Sequence, residues 1–567
     1  MLRFLRLFLA LLLSQIVMLF LFLLGVGVLI TAHQAGPIIE SGSVVWVRLA
    51  GEIIEYPTLP TLPVLRKRPI SQTAILEALD EAAEDRRVAA VIVDVDAPEI
   101  GWGKAAELRA ALRRFRESGK PAYAYAPVLD EMGLYVATAC DSVFVPPTGK
   151  LYLNGIGFGS MYYKGTLDKL EIRPYVSRIG AYKDAVEPQL REDMSPESRE
   201  QTSWLLDGIW GEFLETVSAS RALGRADLEE ALARGALQPD EAAERGFIDG
   251  VRYREDVVTD FVDDLNDSRL VTVMDYWRSQ VQFGDRDGQA IAVVHTRGLI
   301  LRGRNSYHPS FGTILGAASV VRDLEAAAAD DDVAAIVLRI DSPGGEIIAS
   351  DIISAAVERA QQTKPVVVSM VDVAASGGYM MSFRANSIVA LPTTITGSIG
   401  SFTGKLNLRG LYNKLGLTKD FVTRGSYPYL YSDYHDWSAE EESLVTRQQQ
   451  EDYERWVAGI AANRALTPEE VDSLARGRVW TGQQAVGHGL VDELGDQKRA
   501  IEVARELASI PEDASVRIAH YPEARGFLDV LLEESDLLWS GLMESWARPV
   551  HIPQATSWSI LDLSFLP

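Results

Sequence analysis

The chain has 567 residues, 47% of them hydrophobic and 8% aromatic, which excludes an intrinsically disordered chain, a collagen and a small disulfide-stabilised scaffold. Its single cysteine, Cys140, excludes an internal disulfide and a metal site built from several thiolates. The net charge of −24 repels phosphate backbones, so we expect no nucleic-acid partner.

The first predicted element is an apolar helix at residues 7–30, a run of 24 residues without a charge. As a helix it would be about 36 Å long, which is enough to cross a bilayer. Arg3 and Arg6 precede the run, so the positive-inside rule places the N-terminus in the cytoplasm and the remaining chain on the other side. A cleaved signal peptide is the alternative, but its apolar core would be only about 7–15 residues long. We therefore expect residues 1–33 to form a single membrane anchor.

The rest of the chain contains a weak internal repeat with a period of about 245 residues, which predicts two tandem domains. The predicted boundaries are 34–285 and 286–510, and residues 511–567 form a C-terminal extension without a counterpart or an assigned chemistry. The matching segments occur in the same order in both halves: 43–54 with 290–301, 86–98 with 331–343, 119–126 with 363–370, and 233–251 with 475–494.

Each half alternates apolar strand patterns with helical patterns, which predicts an α/β architecture with mostly parallel strands. The helix before the third matching segment, for example, has Leu108, Leu112 and Phe115 at helical spacing. In such folds, functional sites collect where the parallel strands end. Glycine-rich turns at strand ends are therefore candidate sites.

In the second half, two predicted strands run into glycine turns, at residues 342–345 (Ser-Pro-Gly-Gly) and 376–379 (Ser-Gly-Gly-Tyr). Glycines allow backbone N–H groups to point into a cleft, as an oxyanion hole requires, and a serine at such a turn presents its hydroxyl there. The pair indicates an acyl-transfer site. The alternative is that both are ordinary turns where strands meet helices.

The first half has lost both turns. Residues 97–100 (Ala-Pro-Glu-Ile) stand opposite the first and residues 132–135 (Met-Gly-Leu-Tyr) opposite the second. With Met132 in place of the serine and no glycine pair, this half could neither attack an acyl carbon nor stabilise its oxyanion.

A serine nucleophile needs a base, and none of the seven histidines lies in an evident strand-end motif. A buried lysine can act instead if desolvation leaves it neutral near pH 7. Lys183 lies in a small, apolar and aromatic stretch, and its counterpart in the second half is Pro428. The first half thus keeps the lysine and the second keeps the serine, Ser376, which predicts one composite site.

Three motifs together, ASGGY at residues 375–379, TGSIG at 396–400 and YKDAVEP at 182–188, resemble those of the signal peptide peptidase A family, also called protease IV, in its long duplicated form. The resemblance covers nearly the whole chain. It implies tandem crotonase-like domains, a fold shared with the caseinolytic protease, and a membrane-anchored serine protease with a Ser/Lys dyad. By matching motif, Ser376 is the nucleophile and Lys183 the general base.

The resemblance implies further site residues and partners. The oxyanion donors would be the N–H groups of Gly345 and Gly377, with Gly344 shaping the turn, and Ser398 would hold the lysine amine, a turn role being its alternative. No metal or other cofactor is implied. The implied substrate is a cleaved, hydrophobic signal peptide, the implied assembly a homotetramer, and the implied location the bacterial inner membrane, single-pass, with the catalytic body on the periplasmic side.

Two other functions are compatible with parts of the sequence. A crotonase-superfamily enzyme could use similar glycine turns to bind an acyl-thioester oxygen, but Lys183 would then be incidental and the anchor unexplained. An inactive membrane-tethered scaffold is the second alternative, since duplicated domains often lose their chemistry. The survival of both members of a divided dyad disfavours it.

Overall fold

The computed structural model describes residues 38–57, 70–283 and 288–523, together with Ser14, Gln15, Val17 and Met18. The anchor expected at residues 7–30 therefore lies outside the described residues, apart from those four. Within the described ranges, no helix has both the length and the apolar character that a membrane span requires.

The first repeat is an α/β unit around a largely parallel sheet with the strand order β10-β1-β3-β4-β6-β9. Its strands are β1 (Ser43–Ile54), β2 (Ile70–Ser71), β3 (Val88–Glu99), β4 (Ala122–Tyr125), β5 (Val128–Leu129), β6 (Ser142–Val145), β7 (Lys150–Leu151), β8 (Arg173–Ile179), β9 (Gly250–Val251) and β10 (Leu270–Thr272). Its helices are α1 (Gln72–Glu84), α2 (Trp102–Glu117), α3 (Glu131–Ala137), α4 (Lys164–Leu170), α5 (Glu187–Leu190), α6 (Pro196–Arg221), α7 (Arg225–Ala233), α8 (Pro239–Glu244), α9 (Arg254–Val258) and α10 (Val273–Phe283).

The second repeat has a similar sheet with the order β20-β18-β16-β15-β11-β22, and β17 and β21 join it beside β16. Its strands are β11 (Gln289–Arg297), β12 (Leu299–Leu301), β13 (Ser306–His308), β14 (Gly312–Gly316), β15 (Val333–Ser342), β16 (Val366–Ala375), β17 (Ser387–Ala390), β18 (Ile395–Gly397), β19 (Ser401–Asn407), β20 (Val479–Thr481), β21 (Glu493–Leu494) and β22 (Val516–Tyr521). Its helices are α11 (Ala317–Ala329), α12 (Ile347–Ala360), α13 (Gly377–Met380), α14 (Arg409–Lys414), α15 (Ala439–Asn463), α16 (Pro468–Leu474), α17 (Gly482–Gly487) and α18 (Gln497–Leu507).

The central strands are covered on both faces, which explains their continuous apolar sequences. In β15, Ile336 and Leu338 face one core with helices α11 and α12. Val337, between them, faces a second core with Val503 of helix α18. Alternate side chains of a strand point to opposite faces, so a strand of this kind must be apolar along its whole length.

The predicted α/β architecture and duplication are confirmed, because β1, β3 and β4 of one sheet correspond in order and direction to β11, β15 and β16 of the other. The correspondence also extends past residue 510, where no counterpart was expected. Strand β22 pairs in parallel with β11, as β10 pairs with β1.

The two repeats join through an antiparallel pair of strands, one from each. Strand β8 pairs with β19 along its whole length, from Arg173 opposite Asn407 to Ile179 opposite Ser401. A fully buried ion cluster reinforces the contact, since Arg339 of the second repeat donates to Glu55 and Glu107 of the first. The pairing with β19 fixes the position of the C-terminal end of β8. The loop that follows β8 runs from there towards the second repeat.

Candidate active site

Ser376 lies at the sharp turn between strand β16 and helix α13. Its φ of +55° and ψ of −116° are rare for a residue with a side chain, and its N–H donates to the carbonyl of Gly397 at 2.8 Å. Strained conformations of this kind persist where the surrounding structure enforces them. Here the turn leaves the Ser376 hydroxyl half-buried at the end of the strand.

The second glycine turn lies beside Ser376 and is anchored to strand β12. The N–H of Ile300 donates to the carbonyl of Gly344 at 2.9 Å, and the N–H of Glu346 donates to the carbonyl of Ile300 at 2.8 Å. In this parallel pattern the intervening residue, Gly345, directs its own N–H away from β12. Gly345 itself is solvent-exposed.

The two glycine turns are in direct contact, and a side chain on either would separate them. Gly344 has a φ of +99°, and a Cβ built on it would lie 2.5 Å from the nitrogen of Gly377. A Cβ on Gly377 would lie 3.1 Å from the nitrogen of Gly345. Within the described residues, neither N–H has a hydrogen-bond acceptor. The turns therefore present two neighbouring, unused donors next to the Ser376 hydroxyl, the arrangement that an oxyanion hole needs.

Lys183, in the loop after β8, reaches across the repeat boundary to Ser376. Its Nζ lies 3.0 Å from the Oγ of Ser376, 2.8 Å from the carbonyl oxygen of Ser398 and 2.9 Å from the Oγ of Ser398. A neutral amine has two hydrogens and one lone pair. If the two hydrogens go to Ser398, the lone pair faces the hydroxyl of Ser376.

The surroundings of Lys183 favour this neutral form. Its side chain is buried, with 4% of the residue exposed. Desolvation lowers the pKa of Lys183 from 10.5 to about 7, and the nearby carboxylate of Asp184 only partly opposes the shift. With its pKa lowered this far, the amine of Lys183 can be uncharged near neutral pH.

The backbone of Ser398 resembles that of Ser376. Ser398 also has a left-handed backbone, with a φ of +51°, and its N–H donates to the carbonyl of Arg478 at 2.6 Å. Both of its oxygens that face Lys183 are therefore oriented by the turn that follows strand β18. The contact predicted between Ser398 and the lysine amine is present in the structure.

The structure brings together all the site residues expected from the sequence, and the residues that correspond to Ser376 and Lys183 in the opposite repeat lie in different settings. Met132 lies inside helix α3 and not at a strained turn, and Pro428 lies in an exposed loop. No histidine among the described residues hydrogen-bonds to Ser376; the buried His295 bonds instead to His520.

Sequence reasoning missed Lys104, which bridges the two strands that lead into the glycine turns. Its Nζ donates to Asp341, one residue before the first turn, and to Asp372, four residues before Ser376. Lys104 belongs to the first repeat and enters the second because Gly103 has no side chain; a Cβ there would lie 2.6 Å from the carbonyl oxygen of Val371. The sequence did contain a signal for Lys104. Gly101 and Gly103 precede it, directly after residues 97–100, where the first repeat has lost its own glycine turn.

Comparisons with known proteins find similarity over both repeats. The family model described as Peptidase family S49 matches residues 114–266 and 358–511, one stretch in each repeat. The chloroplastic serine protease SPPA of Arabidopsis thaliana is 33% identical over 85% of this chain and 71% of its own length. Protease 4 of Salmonella typhi is 33% identical over 81% of this chain and 75% of its own length. The solved structure of a ClpP1 mutant from Listeria monocytogenes overlaps 36% of this chain and 94% of its own at 16% identity and a TM-score of 0.24, a likeness too weak to carry a conclusion.

Proposed function

Because the chain belongs to peptidase family S49 and is a serine protease, we propose that it is a membrane-anchored endopeptidase that degrades cleaved signal peptides with a Ser376–Lys183 dyad. The observation that carries the dyad is the 3.0 Å contact between a buried lysine amine and the hydroxyl of a strained serine. The substrate and the anchor rest on further features of the structure and of the sequence.

In the first step, the neutral amine of Lys183 removes the proton of Ser376 as its Oγ attacks the scissile carbonyl carbon. The carbonyl oxygen becomes an oxyanion and accepts hydrogen bonds from the N–H groups of Gly345 and Gly377. The ammonium of Lys183 is held meanwhile by the two oxygens of Ser398. Its charge is balanced by the oxyanion that forms in the same step.

In the second step, the tetrahedral intermediate collapses, the C–N bond breaks, and Lys183 gives its proton to the leaving amine. An ester between the substrate acyl group and Ser376 remains. Neutral Lys183 then takes a proton from a water molecule that attacks this ester, and the same two N–H groups hold the second oxyanion. Return of the proton to Ser376 releases the carboxylic acid product and restores the dyad.

An apolar peptide substrate is supported by exposed apolar side chains near the glycine turns. Helix α12 begins two residues after Gly345, and its Ile348 and Ile352, one turn apart, are 54% and 42% exposed. Phe402 on strand β19 is 43% exposed. Exposed apolar side chains on the elements that follow the first glycine turn and the Ser398 turn along the chain are suited to bind the aliphatic residues of a signal peptide.

The membrane part of the proposal rests on the sequence. The uncharged run at residues 7–30 would anchor the chain in the bacterial inner membrane, with the catalytic body on the periplasmic side. Cleaved signal peptides remain in that membrane, so an anchored enzyme would be held beside its substrate. The crotonase-like assignment of the two repeats and assembly as a homotetramer belong to the same proposal.

A crotonase-type acyl-thioester enzyme would use the glycine turns but leave the contact between Lys183 and Ser376 without a purpose. An inactive scaffold would have no reason to retain a desolvated amine. An acylating serine-reactive probe distinguishes these alternatives from the dyad, because only an activated Ser376 forms a stable ester. Labelling should disappear in Ser376→Ala.

The deciding experiment uses the purified full chain and a synthetic signal peptide, with fragments identified by mass spectrometry. Ser376→Ala and Lys183→Ala should each abolish hydrolysis while the thermal unfolding transition is retained. The exposed Ser203 and Lys169 provide matched controls, and their alanine variants should cleave as the wild type does. Substantial cleavage by either dyad variant would refute the proposal.

A further inference from the structure

A turn at residues 475–478 (Ala-Arg-Gly-Arg), here called the bracket turn, contacts the backbones of both partners of the lysine contact. The N–H of Tyr182, next to Lys183, donates to the carbonyl of Arg476 at 3.0 Å. The N–H of Ser398 donates to the carbonyl of Arg478 at 2.6 Å. The turn thus holds the lysine loop of the first repeat on one side and the lysine-binding serine of the second on the other.

The lysine loop fits against the bracket turn only because glycines meet there. Gly477 has a φ of +86°, and a Cβ built on it would lie 2.3 Å from the nitrogen and 2.6 Å from the Cα of Lys183. On the other side of the contact, a Cβ on Gly180 would lie 2.2 Å from the carbonyl oxygen of Arg476. Any side chain at Gly477 would therefore have to displace the backbone of Lys183 itself.

A side-chain contact also joins the bracket turn to the lysine loop. The guanidinium of Arg478 lies 4.0 Å above the ring of Tyr182, a cation–π distance. Arg478 therefore packs on Tyr182, the residue that precedes Lys183 in the lysine loop. Both its backbone carbonyl, through Ser398, and its side chain, through Tyr182, act on the lysine contact.

The first repeat contains a turn that corresponds to the bracket turn but does not contact the lysine loop. Residues 233–236 (Ala-Arg-Gly-Ala) are its counterpart in the first repeat. There Arg234 has an ordinary φ of −85°, whereas Arg476 has +57°. Gly235 also has a positive φ, +75°, but apart from its own chain neighbours no described residue lies within 4 Å of a Cβ built on it. The additional backbone strain and the arginine stack thus occur only in the turn that touches Lys183, as expected of strain kept for a function.

We propose that the bracket turn positions the dyad: Gly477 sets the distance between the amine of Lys183 and the hydroxyl of Ser376, and Arg478 keeps the lysine loop closed over the site. This inference rests on the proposed Ser376–Lys183 dyad. Gly477 and Arg478 are positioning residues, because they act through Lys183, Tyr182 and Ser398.

The test compares Gly477→Ala with Gly235→Ala in the full chain. Both place alanine at a left-handed glycine, so both share the backbone strain, but only Gly477→Ala pushes against Lys183. With a chromogenic apolar peptide, Gly477→Ala should lower kcat by about 10²-fold, the loss typical of a 1 Å misplacement, with little change in KM. A displaced amine is also better hydrated, so the ascending limb of its kcat–pH profile should move to higher pH. Gly235→Ala should keep the wild-type kcat and profile.

Arg478→Ala provides a second arm, because it removes the stack on Tyr182 without placing a side chain at a left-handed glycine. It should shift the pH profile in the same direction by a smaller amount, and this arm decides the question if Gly477→Ala does not fold. Wild-type kcat and pH profile in folded Gly477→Ala, or in Arg478→Ala where that variant decides, would overturn the proposal. So would an equal loss in Gly235→Ala. Failure of the dyad itself would be recognised separately, because Lys183→Ala and Ser376→Ala would then stay active in the same assay.

Discussion

Replacing Lys183 by methionine tests whether the amine is neutral in the folded protein. An exposed lysine titrates near pH 10.5, whereas burial lowers the pKa of Lys183 to about 7. Between these two values the unfolded chain binds more protons than the folded one, so stability must rise as the pH rises. The free-energy cost of burying the amine is fully present below pH 7, at roughly 5 kcal/mol, and disappears above pH 10.5.

Methionine is unbranched and of similar length, so Lys183→Met keeps most of the packing and removes the titration. From pH 6 to pH 9.5, the free energy of unfolding of the wild type should rise by about 3 kcal/mol more than that of the variant. Loss of the hydrogen bonds to Ser398 shifts the variant's stability by a similar amount at every pH, so the slope isolates the proton. Urea unfolding at several pH values, with a common m-value, measures both chains. The variant should also hydrolyse no peptide.

The control is Lys169→Met, which removes an exposed lysine and should retain the slope of the wild type. If wild type and Lys183→Met instead give parallel stability curves across this pH range, the amine titrates alike in the folded and unfolded chains. Lys183 would then be charged at neutral pH and unable to take the proton of Ser376. That result would refute the reasoning from burial to basicity.

Further substitutions test other parts of the site. Lys104→Met leaves the two aspartates that it bridges without their cation, so the protein should lose about 3–5 kcal/mol of stability in urea unfolding; a change below about 1 kcal/mol would show that the bridge is not structural. Gly344→Ala forces the two glycine turns apart and should lower kcat by about 10²–10³-fold with a much smaller change in KM; an unchanged kcat would contradict the oxyanion hole. Ser398→Ala removes one of the acceptors of the Lys183 amine and should lower kcat about tenfold, measured by steady-state kinetics; full activity would leave Ser398 a turn residue only. Removal of residues 1–33 should move the protein from the membrane to the soluble fraction on cell fractionation, and retention in the membrane would contradict the anchor.

Much of the fold could be predicted because local sequence patterns indicate it. Apolar strand segments, glycine turns and their recurrence after about 245 residues predict a duplicated α/β chain. The assignment of Ser376 and Lys183 used one further fact, that each half retains what the other has lost. Each of these signals is a short segment or a comparison of two short segments, so a single sequence contains them.

The contacts between the repeats could not be predicted in the same way. The pairing of β8 with β19, the seating of Gly477 against Lys183 and the bridge from Lys104 all join residues more than two hundred positions apart. No periodicity specifies such contacts, because they depend on how two finished domains pack. Strand β22 was missed for a related reason, since a short edge strand is recognised only by the neighbour with which it pairs.

The buried charges at the repeat boundary connect stability to catalysis. Arg339 is fully buried, and its partners Glu55 and Glu107 come from the other repeat, so sliding or separating the repeats would leave ions buried without partners. A buried pair broken in this way costs about 3–5 kcal/mol, which strongly favours a single relative placement of the two repeats. The contact between Lys183 and Ser376 crosses the same boundary, and a misplacement of about 1 Å there would lower the rate by about 10²-fold. A dyad divided between two repeats therefore requires an interface that fits in only one register. Buried ion pairs form only in a narrow geometry, whereas apolar packing tolerates sliding. Ion pairs therefore specify that register better than apolar contacts do.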